Sequence, residues 1–117
     1  MPFHHPRFHR GPMHSWIMPV GGLLPLIVLK ILSKNPMHGY QIEEELSKLI
    51  NREVPEGFIY GLLKRLESKG LVTFQWETPQ SGPARKVYKL TEEGEIYLKE
   101  RIKSIELIKP IINYLLS

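Results

Sequence analysis

The chain has 117 residues, 42% of them hydrophobic and 24% charged, which is typical of one ordinary globular domain and argues against wholesale disorder. It contains no cysteine, which excludes disulfides, thiolate metal sites and a cysteine nucleophile. Sixteen Lys and Arg against twelve Asp and Glu give a formal net charge of +4, which favours a polyanionic partner if the charge is concentrated on one surface.

The most apolar stretch is too short to cross a membrane. Leu23 to Leu32 covers ten residues and contains Pro25, whereas a spanning helix needs about 20 residues. Lys34 and Asn35 follow where a signal peptide would have a small-residue cleavage site. We therefore expect a soluble, cytoplasmic protein with no membrane association.

Residues 1–22 are predicted to form a flexible, polar arm, because prolines recur through the segment. Four of the five histidines lie here: His4, His5, His9 and His14. Imidazole is a common metal ligand, so a metal-binding segment is the alternative. The segment has no acidic residue, and its prolines prevent a helical pair of ligands. We favour the arm and predict neither a metal nor a cofactor.

Two helices are predicted next. The first covers about Gly22 to Ser33 and is apolar nearly all round, which in so small a protein indicates a second subunit over one face. The second covers about His38 to Ile50 and has one apolar stripe. The acidic triplet 43–45 points in three directions on such a helix, so we interpret it as a solvated face and not as a metal or general-acid cluster.

A third helix is predicted to open with Pro55 and Glu56, which suit a helix start, and to end at Gly70. Its inward stripe is Ile59, Leu62, Leu63 and Leu66. The opposite face is small, aromatic and basic, and it carries Gly57, Tyr60, Gly61, Lys64 and Ser68, with Arg65 beside them.

A hairpin and a last helix complete the chain. The alternation in 71–77 and the return in 85–90 predict two strands joined by a loop rich in proline and glycine. Thr91 is the expected N-cap of the last helix, in which Pro110 should introduce a kink or end the regular ladder. The helix repeats apolar residues that we interpret as a dimer seam: Leu98, Ile102, Ile105, Ile108, Ile112 and Leu115.

The order of these elements predicts a mainly α fold with a small β-hairpin: a winged helix-turn-helix over 23–90 and a dimerisation helix over 91–117. The third helix fits the major groove of DNA, and the hairpin reaches an adjacent groove or phosphate run. Glycines allow close approach, Tyr60 can hydrogen-bond a phosphate, and the basic residues supply charge. Taken singly, each feature has an ordinary surface explanation, and it is their joint occurrence that favours DNA binding.

Four segments resemble the PadR-like transcriptional regulators: PMHGY at 36–40, GFIYGLLKRLE at 57–67, KGLV at 69–72 and GPARKVYKLT at 82–91. The resemblance covers about 23–98. It implies a homodimeric winged-helix repressor that binds a pseudo-palindromic operator in double-stranded DNA and that a small aromatic or drug-like effector releases. It also implies that Tyr40 and Tyr60 contact the DNA backbone, that Lys64 is a recognition-helix contact and that Gly82 belongs to the wing.

Together these arguments predict one DNA interface, formed by Tyr40, Gly57, Phe58, Tyr60, Gly61, Lys64, Arg65, Ser81, Gly82, Arg85 and Lys86. Two positions depart from the family pattern. Glu56 replaces a small or neutral residue, and Phe58 replaces Thr or Ser. The last helix is also short, as in compact members of the family.

The sequence leaves three other interpretations. A winged-helix module that binds a protein and no DNA is the alternative, because it would tolerate acids on the third helix such as Glu56 and Glu67. An enzyme is disfavoured, since the chain has no Asp and no phosphate-cradling glycine motif. Trp16, Tyr97 and Tyr114 have two interpretations: they line an effector pocket between subunits, or they complete a dimer core, which is the interpretation that we favour.

Overall fold

A computed structural model describes residues 21–117, so the predictions for the arm, including its histidines and Trp16, lie outside the described residues. Four helices and three strands make up this part of the chain. They are α1 (Leu24–Lys34), β1 (Met37–His38), α2 (Gly39–Ile50), α3 (Phe58–Ser68), β2 (Val72–Glu77), β3 (Arg85–Leu90) and α4 (Glu92–Leu116). The mainly α fold class is confirmed, and the architecture is a winged helix.

The first helix follows the sequence prediction closely. A 3₁₀ turn, Gly21–Leu23, leads into α1, and Pro25 lies in the first turn, where its missing N–H costs nothing. The helix ends at Asn35, which has an extended backbone. The nearly uniform hydrophobicity predicted burial on several sides, but Leu26 and Ile27 are only half-buried. The buried side chains share one face of the helix: Leu24, Val28, Leu29, Ile31 and Leu32.

The sheet has three strands, where the sequence predicted a two-stranded hairpin. β3 lies in the centre and pairs antiparallel with both β1 and β2. β1 contributes only two residues, Met37 opposite Tyr88 and His38 opposite Val87. Two residues are too few to show the apolar–polar alternation that predicts a strand. The pairing of β1 therefore follows from the fold, which brings it to β3.

The start of α3 also differs from the prediction. The helix begins at Phe58 and not at Pro55, because Gly57 takes a left-handed conformation (φ 84°) that cannot continue back into a helix. The backbone N–H of Phe58 donates instead to the carbonyl of Pro55 in a turn (3.1 Å). The predicted inward stripe of α3, from Ile59 to Leu66, is buried.

One core joins all the helices to the sheet. Its fully buried side chains come from α1, α2, α3 and β2: Val28, Leu29, Ile42, Leu46, Ile59, Leu63 and Val72. Tyr88 of β3 and Leu98 of α4 close it on the remaining sides. Since α3 shares this core, its inward face is fixed and its other face is left to solvent.

The last helix is tied to the sheet at its first turn. Thr91 Oγ1 accepts the N–H of Gly94 (2.9 Å), as the predicted N-cap requires, and donates to the carbonyl of Gly70 (2.7 Å). A Cβ on Gly94 would collide with the carbonyl of Leu71, which explains why the glutamate of a capping box is absent there.

The helix then continues through Pro110 to Leu116, so the regular helix does not end at the proline. Because α4 is exposed there, solvent reaches the carbonyl that proline leaves without its helical donor. Within residues 21–117, no helix has both the length and the apolar character needed to span a membrane.

Candidate nucleic-acid interface

The outward face of α3 is open to solvent. Gly61, Lys64, Arg65 and Ser68 are exposed, and a Cβ on Gly61 would meet nothing within 4 Å. Burial of the opposite stripe aims this face away from the core. A helix with one packed face and one small, basic face has the shape and charge needed to lie in a DNA groove.

Phe58 is placed differently from the other residues of the predicted face. Its side chain is half-buried and packs against the core. It lies in the first turn of α3, where burial of the ring anchors the helix start. The structure therefore favours a packing role for Phe58.

Tyr60 lies where α3 crosses the beginning of α2. A Cβ on Gly39 would fall 2.6 Å from Cζ and 2.7 Å from the hydroxyl oxygen of the Tyr60 ring, so only glycine allows this contact. The Tyr60 side chain remains 47% exposed. Its partial burial, followed by the carboxylates of Glu43 and Glu56, raises the pKa of the phenol. Tyr60 is thus a neutral donor beside the exposed face of α3.

Glu43 links α2 to the start of α3, contrary to its interpretation as part of a solvated face. It is half-buried, and its Oε2 accepts the backbone N–H of Gly57 (3.2 Å). The local pattern of α2 gave no sign of this contact, because the two residues are 14 positions apart.

The beginning of α2 presents Tyr40 and His38 together. Tyr40 is exposed, and its ring is stacked on that of His38 with centroids 6.4 Å apart. The N–H of His38 donates to Gln41 Oε1 (3.1 Å), which closes the first turn of α2. Burial and the nearby Arg85 lower the pKa of His38, against smaller opposing effects of Glu77 and Glu44. His38 thus lies between the helix-turn-helix and the hairpin.

The predicted wing is the β2–β3 hairpin, and its two predicted basic DNA contacts, Arg85 and Lys86, both interact with side chains of the hairpin itself. Arg85 pairs with Glu77 directly across the strands (3.5 Å), and both side chains are about half exposed. Lys86 Nζ lies 4.1 Å from the ring centroid of Phe74 and 5.7 Å from that of Trp76. Ser81 and Gly82 are exposed in the connecting loop, where Gly82 has a positive φ of 95°.

Acidic residues lie next to the α3 face. A cavity of about 550 Å³ opens between α2 and the α2–α3 connection, with the tyrosine rings of residues 40 and 60 on its walls. Three carboxylates also line it: Glu43, Glu53 and Glu56. Glu53 and Glu56 belong to the same short connection, whereas Glu43 comes from α2 and reaches this place only through the fold.

An apolar groove of about 610 Å³ runs between α1 and α4. Of the predicted dimer residues, Leu98 is only 4% exposed and belongs to the core of the single chain. Ile102 and Ile105 are half-buried and line the groove. The others, Ile108, Ile112 and Leu115, are exposed on the distal half of α4. That half also exposes Leu107 and Ile111, an apolar surface that nothing covers within the described chain.

The predicted effector residues are not brought together in one chain. Tyr97 is half-buried with the Arg101 guanidinium 4.8 Å from its ring centroid, whereas Tyr114 is 79% exposed. They are separated along α4 by roughly 25 Å, given a rise of 1.5 Å per residue. Within residues 21–117, no group of His, Asp or Glu is arranged to hold a metal ion.

The chain is similar to known transcriptional regulators. The family model described as "Transcriptional regulator PadR-like family" matches residues 28–100. A Mycobacterium tuberculosis protein named transcriptional regulator Rv3488 is 35% identical over 81 residues, which cover 69% of this chain and 74% of that protein.

Two solved structures show the same architecture. A PadR-like transcriptional regulator from Bacillus cereus is 32% identical with a TM-score of 0.74, covering 84% of this chain and 95% of that one. A PadR-family transcriptional regulator from Eggerthella lenta is 28% identical with a TM-score of 0.75, covering 90% and 92%.

Proposed function

Because the chain belongs to the PadR-like family of transcriptional regulators, which are not enzymes, we propose that it binds double-stranded DNA sequence-specifically as a homodimer. The observation that carries the proposal is the exposed face of α3, where Lys64 and Arg65 lie one turn after Gly61 on a helix whose other face is buried. The aromatic residues Tyr40 and Tyr60 flank this face and add hydroxyl donors for phosphate oxygens.

The proposed dimer forms through α4 and the groove beside α1. Exposed Ile108, Ile112 and Leu115 continue the apolar line of Ile102 and Ile105 along the helix. Burying such a surface against the same surface of a second copy gives a two-fold interface. A two-fold dimer presents two α3 helices, which matches a pseudo-palindromic operator.

By the same proposal the protein is a cytoplasmic repressor that leaves its operator when a small aromatic or drug-like effector binds. The support for these finer steps is family membership together with the apolar groove between α1 and α4. An effector that binds there would act on the helix through which the subunits pair.

The decisive experiment is binding of the purified protein to labelled DNA from its own upstream region, with unrelated DNA as competitor and at several salt concentrations. We expect retention of the upstream fragment and a steep loss of affinity with salt. Lys64→Ala should weaken binding to all sequences and reduce the log–log salt slope by about 1. Lys99→Ala removes a lysine that is also exposed, but on α4, and serves as the control.

A second candidate function is a winged-helix module that binds a partner protein and no DNA. Glu43, Glu53 and Glu56 around the cavity beside α3 favour it, because carboxylates oppose a phosphate backbone there. Absence of binding to any DNA at low salt would select this alternative. Salt-sensitive binding without preference for the upstream fragment would reduce the proposal to nonspecific DNA binding.

A further inference from the structure

We infer that Glu43 is a positioning residue for DNA recognition: its carboxylate sets the start of α3 by holding the backbone N–H of Gly57. This inference rests on the proposed DNA-binding function. It assigns a task to a glutamate on α2 that has no charge complementarity to DNA, and it predicts that losing its hydrogen bond weakens specific binding.

The contact is one of few that fix the connection between α2 and α3. Among the side-chain hydrogen bonds in residues 21–117, only two join positions more than four apart, and the bond from Gly57 to Glu43 is one of them. The connection itself, residues 51–57, is exposed except for the half-buried Val54. Besides the backbone turn from Phe58 to Pro55 and the packing of Val54 on the core, Glu43 supplies the one side-chain hydrogen bond to residues 51–57 in the described part of the chain.

The location of the contact gives it leverage over the recognition face. Gly57 is the N-cap of α3 and has a positive φ of 84°, a left-handed backbone conformation that separates the connection from the helix. The first N–H groups of a helix have no partner within the helix, and an acceptor from outside fixes where the helix begins. A carboxylate also complements the positive end of the helix dipole. Glu43 thereby restrains the turn that leads into the helix carrying Gly61 and Lys64.

The same carboxylate also carries a negative charge close to the proposed DNA path. Repulsion and positioning have opposite consequences: removing the charge strengthens binding, whereas removing the hydrogen bond weakens it. Two substitutions separate these effects. Glu43→Gln and Glu43→Ala both remove the charge, but only glutamine keeps an oxygen that accepts the Gly57 N–H.

The test is the dissociation constant of the wild type, Glu43→Gln and Glu43→Ala for the upstream fragment and for unrelated DNA. We expect Glu43→Ala to bind the upstream fragment roughly threefold to tenfold more weakly than Glu43→Gln, as for loss of one hydrogen bond. Glu44→Gln and Glu44→Ala, on the exposed neighbour, should not differ from each other. Thermal unfolding of each variant ensures that all are folded at the assay temperature.

Hydrogen exchange of the Gly57 amide, followed by NMR without DNA, gives an independent readout. Exchange should be faster in Glu43→Ala than in Glu43→Gln, because only the alanine leaves the amide without its acceptor. Equal exchange or equal affinity of the two Glu43 variants would overturn the inference. Failure of the wild type to prefer the upstream fragment would instead refute the proposed function, and this result is visible before any variant is compared.

Discussion

The ring of Tyr60 lies directly against the backbone of Gly39, so that α3 crosses the beginning of α2 at a point where no side chain fits. Gly39 is buried, while the Tyr60 ring remains partly exposed beside the proposed DNA face. The contact therefore sets both the approach of the two helices and the position of a tyrosine that we propose to contact DNA.

Gly39→Ala should displace the Tyr60 ring and weaken DNA binding to the level of Tyr60→Ala. The ring is the free end of a partly exposed side chain, so it can rotate away without unfolding the protein. Because Gly39 is the first residue of α2, alanine gains less there than the ~1 kcal/mol of helix propensity that it has over glycine in a helix interior, and this gain offsets only part of the lost packing. In affinity measurements on the upstream fragment, adding Gly39→Ala to Tyr60→Ala should cause no further loss.

Gly61→Ala is the matched helical control for stability alone, since a Cβ there meets nothing in the free protein whereas the residue lies on the proposed DNA face. It should raise the free energy of unfolding by about 0.5–1 kcal/mol. If Gly39→Ala stabilises the protein equally and leaves DNA affinity unchanged, the Gly39–Tyr60 contact has no part in recognition.

Thr91→Ala should lower the free energy of unfolding by about 1 kcal/mol, because one hydroxyl both caps α4 and donates to the Gly70 carbonyl. Thr91→Ser keeps that hydroxyl and should remain close to the wild type. Urea denaturation of the three proteins measures the difference. Equal midpoints for alanine and serine would show that the hydroxyl contributes nothing.

Glu77→Gln should strengthen nonspecific DNA binding. It removes the carboxylate that pairs with Arg85 and leaves the guanidinium available to a phosphate. An exposed pair contributes about 0–1 kcal/mol to stability, so the fold should tolerate the change. Plots of log affinity against log salt should steepen by up to about one unit. The double variant with Arg85→Ala should lose this gain; a gain that persists would place its origin elsewhere.

Ile112→Glu should dissociate the proposed dimer, since it introduces a charge into the apolar line of α4. Lys99→Glu places a new acid on the same helix outside that line and should leave the dimer intact. Analytical ultracentrifugation reports the mass of each variant. A dimer that survives Ile112→Glu would refute pairing through α4.

Stability should decrease when the pH falls below the ordinary histidine pKa of 6.5, with His38 contributing. Burial, then Arg85, lowers the pKa of His38 in the folded protein, so the unfolded chain binds more protons between the two pKa values. Protonation in this window therefore favours unfolding. Denaturant unfolding from about pH 8 to pH 5 should show the decline, and His38→Gln should make it shallower. An identical slope in the variant would remove His38 as the cause.

The helices were predictable because their signals are local. The stripe Ile59, Leu62, Leu63 and Leu66 repeats at helical spacing, and all four side chains are buried as that spacing predicts. Thr91 likewise predicts an N-cap, because the N–H that its side chain accepts belongs to Gly94, only three residues later. Such patterns depend on neighbours along the chain, so one sequence suffices to recognise them.

The features that the sequence did not predict depend on contacts between distant residues. Glu43 reads as one of three consecutive surface acids, and only the fold brings it to Gly57. Gly39 lies in a segment that resembles the family, but only glycine fits there because the ring of Tyr60, on another helix, occupies the place of a side chain. The pairing of Glu77 with Arg85 required the register of the hairpin, which the loop length alone does not determine.

In the proposed dimer, the joint between the start of β2 and the start of α4 would affect the distance between the two DNA half-sites. The absent side chain of Gly94 lets α4 begin directly against the Leu71 carbonyl, and the Thr91 hydroxyl holds the same corner. In that dimer, α4 connects each winged helix and its α3 to the partner subunit, and the joint sets the angle between α4 and the rest of the winged helix. This joint would then determine how far apart the two α3 helices lie, and therefore how many base pairs separate the two half-sites.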